Sequence, residues 1–207
     1  MMKSLPLSGV FLGAGLKDSP HLFKGVITGI LRIAKESVFS DLNNLRVYSI
    51  LDRQFGSSFG FTEEEVKALL DYCGIPEHYD CISRWYNGYL FGGTVIYNPW
   101  SVLNYADTRP EVPEPYWVNT GGTGMIDRLA TGGGRELREE IGLLLEGKSI
   151  LKPVHDSIVI KDLEQRGELL WTFLLYSVYL RCDGKAQRRN IYPLTVPATA
   201  LSWNSKK

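Results

Sequence analysis

Trp85–Tyr105, WYNGYLFGGTVIYNPWSVLNY, places Trp85, Tyr86, Tyr89, Phe91, Tyr97, Trp100 and Tyr105 between two turn-helix signals. So many rings bury too much apolar area for a linker, and their reading as the packed centre of a folded body organises the rest of the chain. Asn98-Pro99 near its end predicts a helix to about Ala106, with Asn98 as N-cap and Pro99 at the first helical position. Before it, Glu77–Tyr86 reads as a helix, because Tyr79, Ile82, Trp85 and Tyr86 recur at helical spacing. Further back, Thr62 with Glu65 forms a capping box, and Phe61 stands where it can staple onto Val66. That helix stops at Gly74, ahead of Ile75-Pro76. Two more helices are expected beyond the Pro-rich loop Thr108–Pro115, over about Met125–Ala130 and Glu136–Glu146.

The flanks differ in character. Leu5–Leu16 reads as a helix that Pro20 keeps from continuing. Leu22–Ile30 and Leu45–Leu51 are apolar runs that suit strands buried on both faces of a parallel sheet, with a short helix, Ala34–Leu42, between them. Strand, helix and strand make a βαβ unit. At the other end, Ser149–Val154 and Ser157–Ile160 look like short strands, Glu168–Leu180 like a strongly apolar helix, and Asn190–Val196 like an alternating strand.

With 207 residues and 44% hydrophobic content, the chain can bury a substantial core as one or two domains. Its 23 basic and 23 acidic side chains cancel, so no overall field steers it toward a polyanion, although Arg181 to Lys207 is locally basic. Cys73, Cys81 and Cys182 are odd in number and lack CxxC spacing, which favours reduced thiols and a cytoplasmic location. The opening MMKSLPLSGVFLGAGL has too brief an apolar run for a signal peptide, and no segment reaches the roughly 20 apolar residues of a membrane span.

Together with ITGILRIAKESVFSDLNNL (Ile27–Leu45), FGFTEEEVKALL (Phe59–Leu70) and YWVNT (Tyr116–Thr120), the aromatic stretch resembles the AAA-ATPase-like family, bacterial P-loop proteins often joined to a PD-(D/E)XK nuclease-like domain. The resemblance runs in family order over roughly residues 6–180. It implies an α+β, mostly helical chain: residues 1–58 as the remnant of an α/β P-loop core, 59–147 as a helical lid, and 148–207 as a winged-helix-like segment with a divergent tail. No GxxxxGK[ST] loop and no apolar run closing on Asp-Glu is present, so the chain is expected to be the C-terminal portion of such a protein. By resemblance, ATP and Mg belong to the intact protein, and no cofactor and no catalytic activity is expected for this chain alone. The expected partner is the missing N-terminal half or another protein, with DNA a weaker alternative and no membrane.

Two residues are candidates for cofactor binding. Thr28 ends the first apolar run, where ligands of open α/β sheets gather, and the resemblance implies a sensor of the terminal phosphate there. Arg32 is placed to meet phosphate, since a guanidinium suits bidentate oxyanion binding. The plainer readings are a strand-ending turn at Thr28-Gly29 and a solvated or carboxylate-paired Arg32 and Lys35. Asn43-Asn44 reads as a tight turn, and the rings as packing rather than base stacking, since only Arg84 stands near them. Asn119–Gly124 has the look of a phosphate cradle but no following Lys-Ser/Thr. Glu146-Gly147-Lys148 and Asp183-Gly184-Lys185 match only half of a nuclease signature, and His21, His78 and His155 lack ligand spacing, so no metal site is expected.

The chain departs from the family at Leu90, where a basic residue is usual, at Gly121-Gly122, where Ser-Ser-Asn is preferred, and at Val178, which replaces the glycine of a helix end. After Leu180 the text RCDGKAQRRNIYPLTVPATALSWNSKK diverges altogether. Two rivals follow: a protein- or DNA-binding winged-helix module without nucleotide chemistry, and a truncated, non-functional product.

Overall fold

The computed structural model describes residues 15–16, 20–29, 46–114, 116, 134–155, 167–184 and 186–197. Among these the architecture is α+β, with five α-helices and two small antiparallel sheets. The buried apolar side chains gather into two cores, the first of which includes Tyr97 of the aromatic stretch.

The first core belongs to the stretch that begins at Phe61. Helix α1 (Glu63–Tyr72) starts at the expected capping box: the Glu65 amide donates to Thr62 Oγ1 at 3.4 Å, and the Thr62 amide donates to Glu65 Oε2 at 2.8 Å. Glu63, Glu64 and Glu65 add negative charge where the helix dipole is positive. The helix ends on Gly74, whose φ of 71° is the left-handed conformation. There the Gly74 amide bonds Asp71 O and the Ile75 amide bonds Leu70 O, the paired bonds of a Schellman motif. A 3-10 turn, Pro76–His78, leads into α2 (Tyr79–Tyr86), so the expected Glu77–Tyr86 helix is tighter in its first turn.

Next comes a hairpin, β1 (Asn87–Phe91) and β2 (Thr94–Tyr97), with Tyr89 opposite Ile96 and Phe91 opposite Thr94. Its loop is Gly92-Gly93, with φ of 58° and 92°, the positive values that a two-residue hairpin needs. Helix α3 (Pro99–Thr108) follows under the expected cap, the Ser101 amide donating to Asn98 Oδ1 at 3.2 Å. Val66, Leu70, Ile82, Tyr86, Tyr97, Val102 and Tyr105 close the core between these elements.

The second core is built from α4 (Arg135–Leu145), β3 (Ile150–Pro153), α5 (Leu169–Tyr176), β4 (Arg181–Cys182) and β5 (Ile191–Thr195). Its sheet is antiparallel in the order β3-β5-β4, with Ile150 opposite Leu194 and Cys182 also opposite Leu194. Leu144, Ile150, Val154, Trp171, Leu175, Leu180 and Leu194 fill it. Lys152 pairs with Glu140 at 2.5 Å and lies 5.3 Å from the centre of the Trp171 ring, tying β3 to α4 and α5.

Among the described residues neither expected buried strand forms. Leu22–Gly29 is irregular and exposed, with Phe23 fully open to solvent, and residues 46–49 carry no regular structure before the turn at 50–51. A strand holds its shape through hydrogen bonds to a neighbour, and every described strand pairs instead in one of the two antiparallel sheets. The expected elements Ala34–Leu42, Met125–Ala130 and Ser157–Ile160 lie outside the described residues, as does Leu5–Leu16 apart from Gly15 and Leu16, which are helical.

Candidate functional site

Where α1 reverses into α2, Gly74-Ile75-Pro76 turns the chain and leaves a shallow cleft of about 310 Å³ lined by Lys67, Asp71, Pro76 and Tyr79. Lys67 lies on the exposed face of α1, one turn after Glu63, and its ammonium meets the Glu63 carboxylate at 2.5 Å. The same ammonium sits 4.6 Å from the centre of the Tyr79 ring. Hydrogen bonding to Lys67 holds the Glu63 carboxyl below its ordinary range and raises Lys67 in turn. The Tyr79 hydroxyl shares a hydrogen bond of 3.1 Å with the buried Tyr97 hydroxyl, which donates to Ser83 Oγ at 3.3 Å. Burial first, then the bonds to Tyr97 and Glu63, push the Tyr79 phenol well above its usual value.

This arrangement can hydrogen-bond a small polar group, but it lacks an activated nucleophile. The ammonium is committed to Glu63 and the Tyr79 phenol stays neutral. A general base needs a group that titrates near neutrality within reach of the proton it takes. The nearest histidine with a defined role, His78, spends Nδ1 on the Tyr105 hydroxyl at 2.8 Å. Among the described residues no group of three His, Cys, Asp or Glu side chains could hold a metal ion.

The sequence candidates fall elsewhere. Thr28 lies exposed in the irregular stretch Leu22–Gly29, and Arg32, Lys35 and Asn43-Asn44 lie outside the described residues together with Asn119–Gly124. In the half-motif at Glu146, Lys148 simply pairs with that carboxylate at 2.7 Å beyond the end of α4. In the half-motif at Asp183, the carboxylate takes Arg181 Nε at 2.6 Å and a short bond from Thr195 Oγ1 at 2.5 Å, so it serves the β4–β5 hairpin. The rings of Tyr86 and Tyr97 are buried in the first core, whereas Trp100 is exposed. Cys73, Cys81 and Cys182 are free thiols.

Two surfaces lie apart from these motifs, the second within the locally basic C-terminal stretch. The Lys67–Tyr79 cleft depends on the reversal at Gly74–Pro76, for which the Gly-Ile-Pro sequence is the only signal. The second is the tip of the β4–β5 hairpin, where Arg188 and Arg189 are exposed beside Asn190 at a φ of 64°.

A comparison with curated proteins finds a chain from Azotobacter chroococcum mcd 1 described as "Uncharacterized protein in vnfD 5'region", 36% identical over 118 residues. The match covers 55% of this chain and 22% of that protein, so this chain spans about a fifth of its relative's length. No family model matches the chain. No solved structure matches it either.

Proposed function

We propose that this chain is the C-terminal part of an AAA-ATPase-like protein. In this reading, residues 1–58 are the sensor-strand remnant of the P-loop core, 59–147 the helical lid and 148–207 a winged-helix-like module. Nucleotide chemistry then needs a phosphate-loop half that supplies the amides and Lys for the triphosphate and, through its acidic strand end, the Mg ion. Thr28 and Arg32 would face the nucleotide only in that joined state.

The observation that carries the reading is the order of the second body: helix α4, strand β3, helix α5, then β4 and β5, with the last strand between the other two. A winged helix likewise sets its last strand between the other two, its final hairpin forming the wing; it carries a further helix between its first two strands, where residues 156–166 lie outside the described residues. The capped, aromatic-cored body before it supports the lid assignment. A lid of this kind closes over bound nucleotide and passes its state to a neighbour.

Titration calorimetry with Mg-ATP tests the proposal. The chain alone should give no binding in the micromolar range, and a longer protein carrying it behind a GxxxxGK[ST] segment should bind. Micromolar binding by the chain alone, or none by the longer protein, would sink the reading.

The exposed Arg188 and Arg189 favour one alternative, a module that holds duplex DNA by its phosphates. Helix α5, LLWTFLLY, has no charged side chain to read a base edge, and its Thr172 is fully buried. Any such binding should therefore be sequence-independent and fall steeply with salt. A gel-shift series on duplex DNA that shows no complex at low salt removes this alternative.

A further inference from the structure

The two cores meet along the aromatic hairpin, with β1 beside β4. Among the described residues, a short segment also bridges that joint. Between Ser49 and Gly56 the chain makes a tight turn: Asp52 Oδ2 accepts from the Ser49 amide at 2.6 Å and from Ser49 Oγ at 3.0 Å, while the Leu51 amide donates to Ser49 Oγ at 3.2 Å. From this turn Ile50 and Leu51 pack onto the second core. The backbone of the same turn grips the hairpin tip of the first body, the Gly92 amide donating to Ile50 O at 2.8 Å.

The grip is close on both sides. A Cβ on Gly92 would lie 2.5 Å from Arg53 Cα and nearer still to Asp52 O, and a Cβ on Gly56 would lie 2.5 Å from Phe91 O. These neighbours are backbone atoms, which cannot swing aside as a side chain can. Gly93, one residue on, meets nothing within 4 Å. The two glycines are therefore needed for contact between strap and hairpin, whereas Gly93 serves the turn alone.

We infer that residues 49–56 act as a coupling strap that makes the two bodies one cooperative unit and sets the point where the N-terminal segment joins them. A displacement arriving through Arg46–Tyr48 must then either move the hairpin and the second core together or break the Gly92–Ile50 bond. The geometry of the joint is independent of nucleotide binding.

Hydrogen exchange on the full chain, read by peptide in rising denaturant, tests it. In the native chain, peptides covering Val66–Leu70 and Leu169–Leu175 should open with the same free energy. In Gly92→Ala, the amides of residues 50–52 should exchange about tenfold faster or more, and the two cores should open separately. Ile50→Ala, which leaves the hairpin tip untouched, should also free the second core from the first. Gly93→Asn, which keeps a residue tolerant of positive φ, should leave the coupling intact. Unchanged exchange and coincident opening in both Gly92→Ala and Ile50→Ala overturn the inference, as does an equal loss of coupling in Gly93→Asn.

Discussion

Val178 occupies a position that the backbone reserves for glycine. After α5 the Val178 amide bonds Leu175 O at 3.0 Å and the Tyr179 amide bonds Leu174 O at 2.9 Å, the same Schellman pair that ends α1 at Gly74 and α4 at Gly147. Those two glycines have φ of 71° and 77°, and Val178 has 65°. A side chain with a Cβ, above all a β-branched one, crowds the backbone there at a cost of about 1–2 kcal/mol. Val178→Gly should therefore stabilise the chain by about 1 kcal/mol, a gain smaller than the relieved strain because the half-buried valine gives up some packing and the unfolded chain gains freedom. Gly74→Ala should have the opposite sign and a cost of about 1 kcal/mol, because the position is open but left-handed. Urea unfolding of both variants checks the pair, and a destabilised Val178→Gly would show that valine packing outweighs the strain.

Among the elements, α1 depends most visibly on its cap. Thr62→Ala removes the acceptor of the Glu65 amide and the partner of the Glu65 carboxylate, and should cost about 1 kcal/mol. A Thr62→Ser variant should recover most of the loss in the same urea titration, because it restores the hydroxyl; failure to recover would assign the effect to the methyl group. Between α2 and α3, Tyr86 and Tyr105 pack edge to face with centroids 5.8 Å apart. Burial, then contact with Cys81, pushes the Tyr105 phenol from 10.0 up to about 12. The folded-state value is the higher one, so the neutral phenol's contribution is complete below pH 10 and is lost as pH rises toward 12. Stability should fall across that window, and Tyr105→Phe should shallow the fall. An equally steep decline in the variant would place the titrating group elsewhere.

These elements also show what the residues disclose by themselves. The caps at Thr62 and Asn98 and the stop at Gly74 are legible because each is a local contract between a side chain or glycine and the next few amides. The strand at Ile150 is legible as a short strand and the closing strand at Ile191 as an alternating one. The hairpin at Asn87–Tyr97 is not obvious, although Gly-Gly stands between two short runs, because ring density on both sides looks equally like packing between helices. The strap at 49–56 is invisible in sequence, since its meaning lies in which distant backbone it touches. Apolar runs such as Leu22–Ile30 mislead in a different way: hydrophobicity specifies that a segment can be buried, but the burial itself needs a neighbouring surface.

Across the whole molecule, apolar side chains without a covering surface stay exposed. Leu22, Phe23, Val26, Ile27, Val47, Tyr48, Phe55 and Phe59 are all exposed large apolar side chains, and all precede the capped body that starts at Phe61. The described chain from Val26 to Gly29 lies in solvent with no regular structure, whereas Val66 and Leu70 are fully buried on a capped helix. Local opening free energy follows such differences in burial and hydrogen bonding, from near zero at exposed chain up to the global value in a core. The amides of Val26–Gly29 should therefore exchange at close to unprotected rates, while those of Val66–Leu70 should be slower by about a thousandfold or more in a domain of ordinary stability. Joining the chain to a phosphate-loop half should raise protection at Val26–Gly29 selectively, because a neighbouring strand would then take up those amides. Equal protection of the two segments in the monomeric chain would contradict both the exposed placement and the remnant reading of residues 1–58. Protection unchanged in the joined protein would leave the placement standing and overturn the remnant reading.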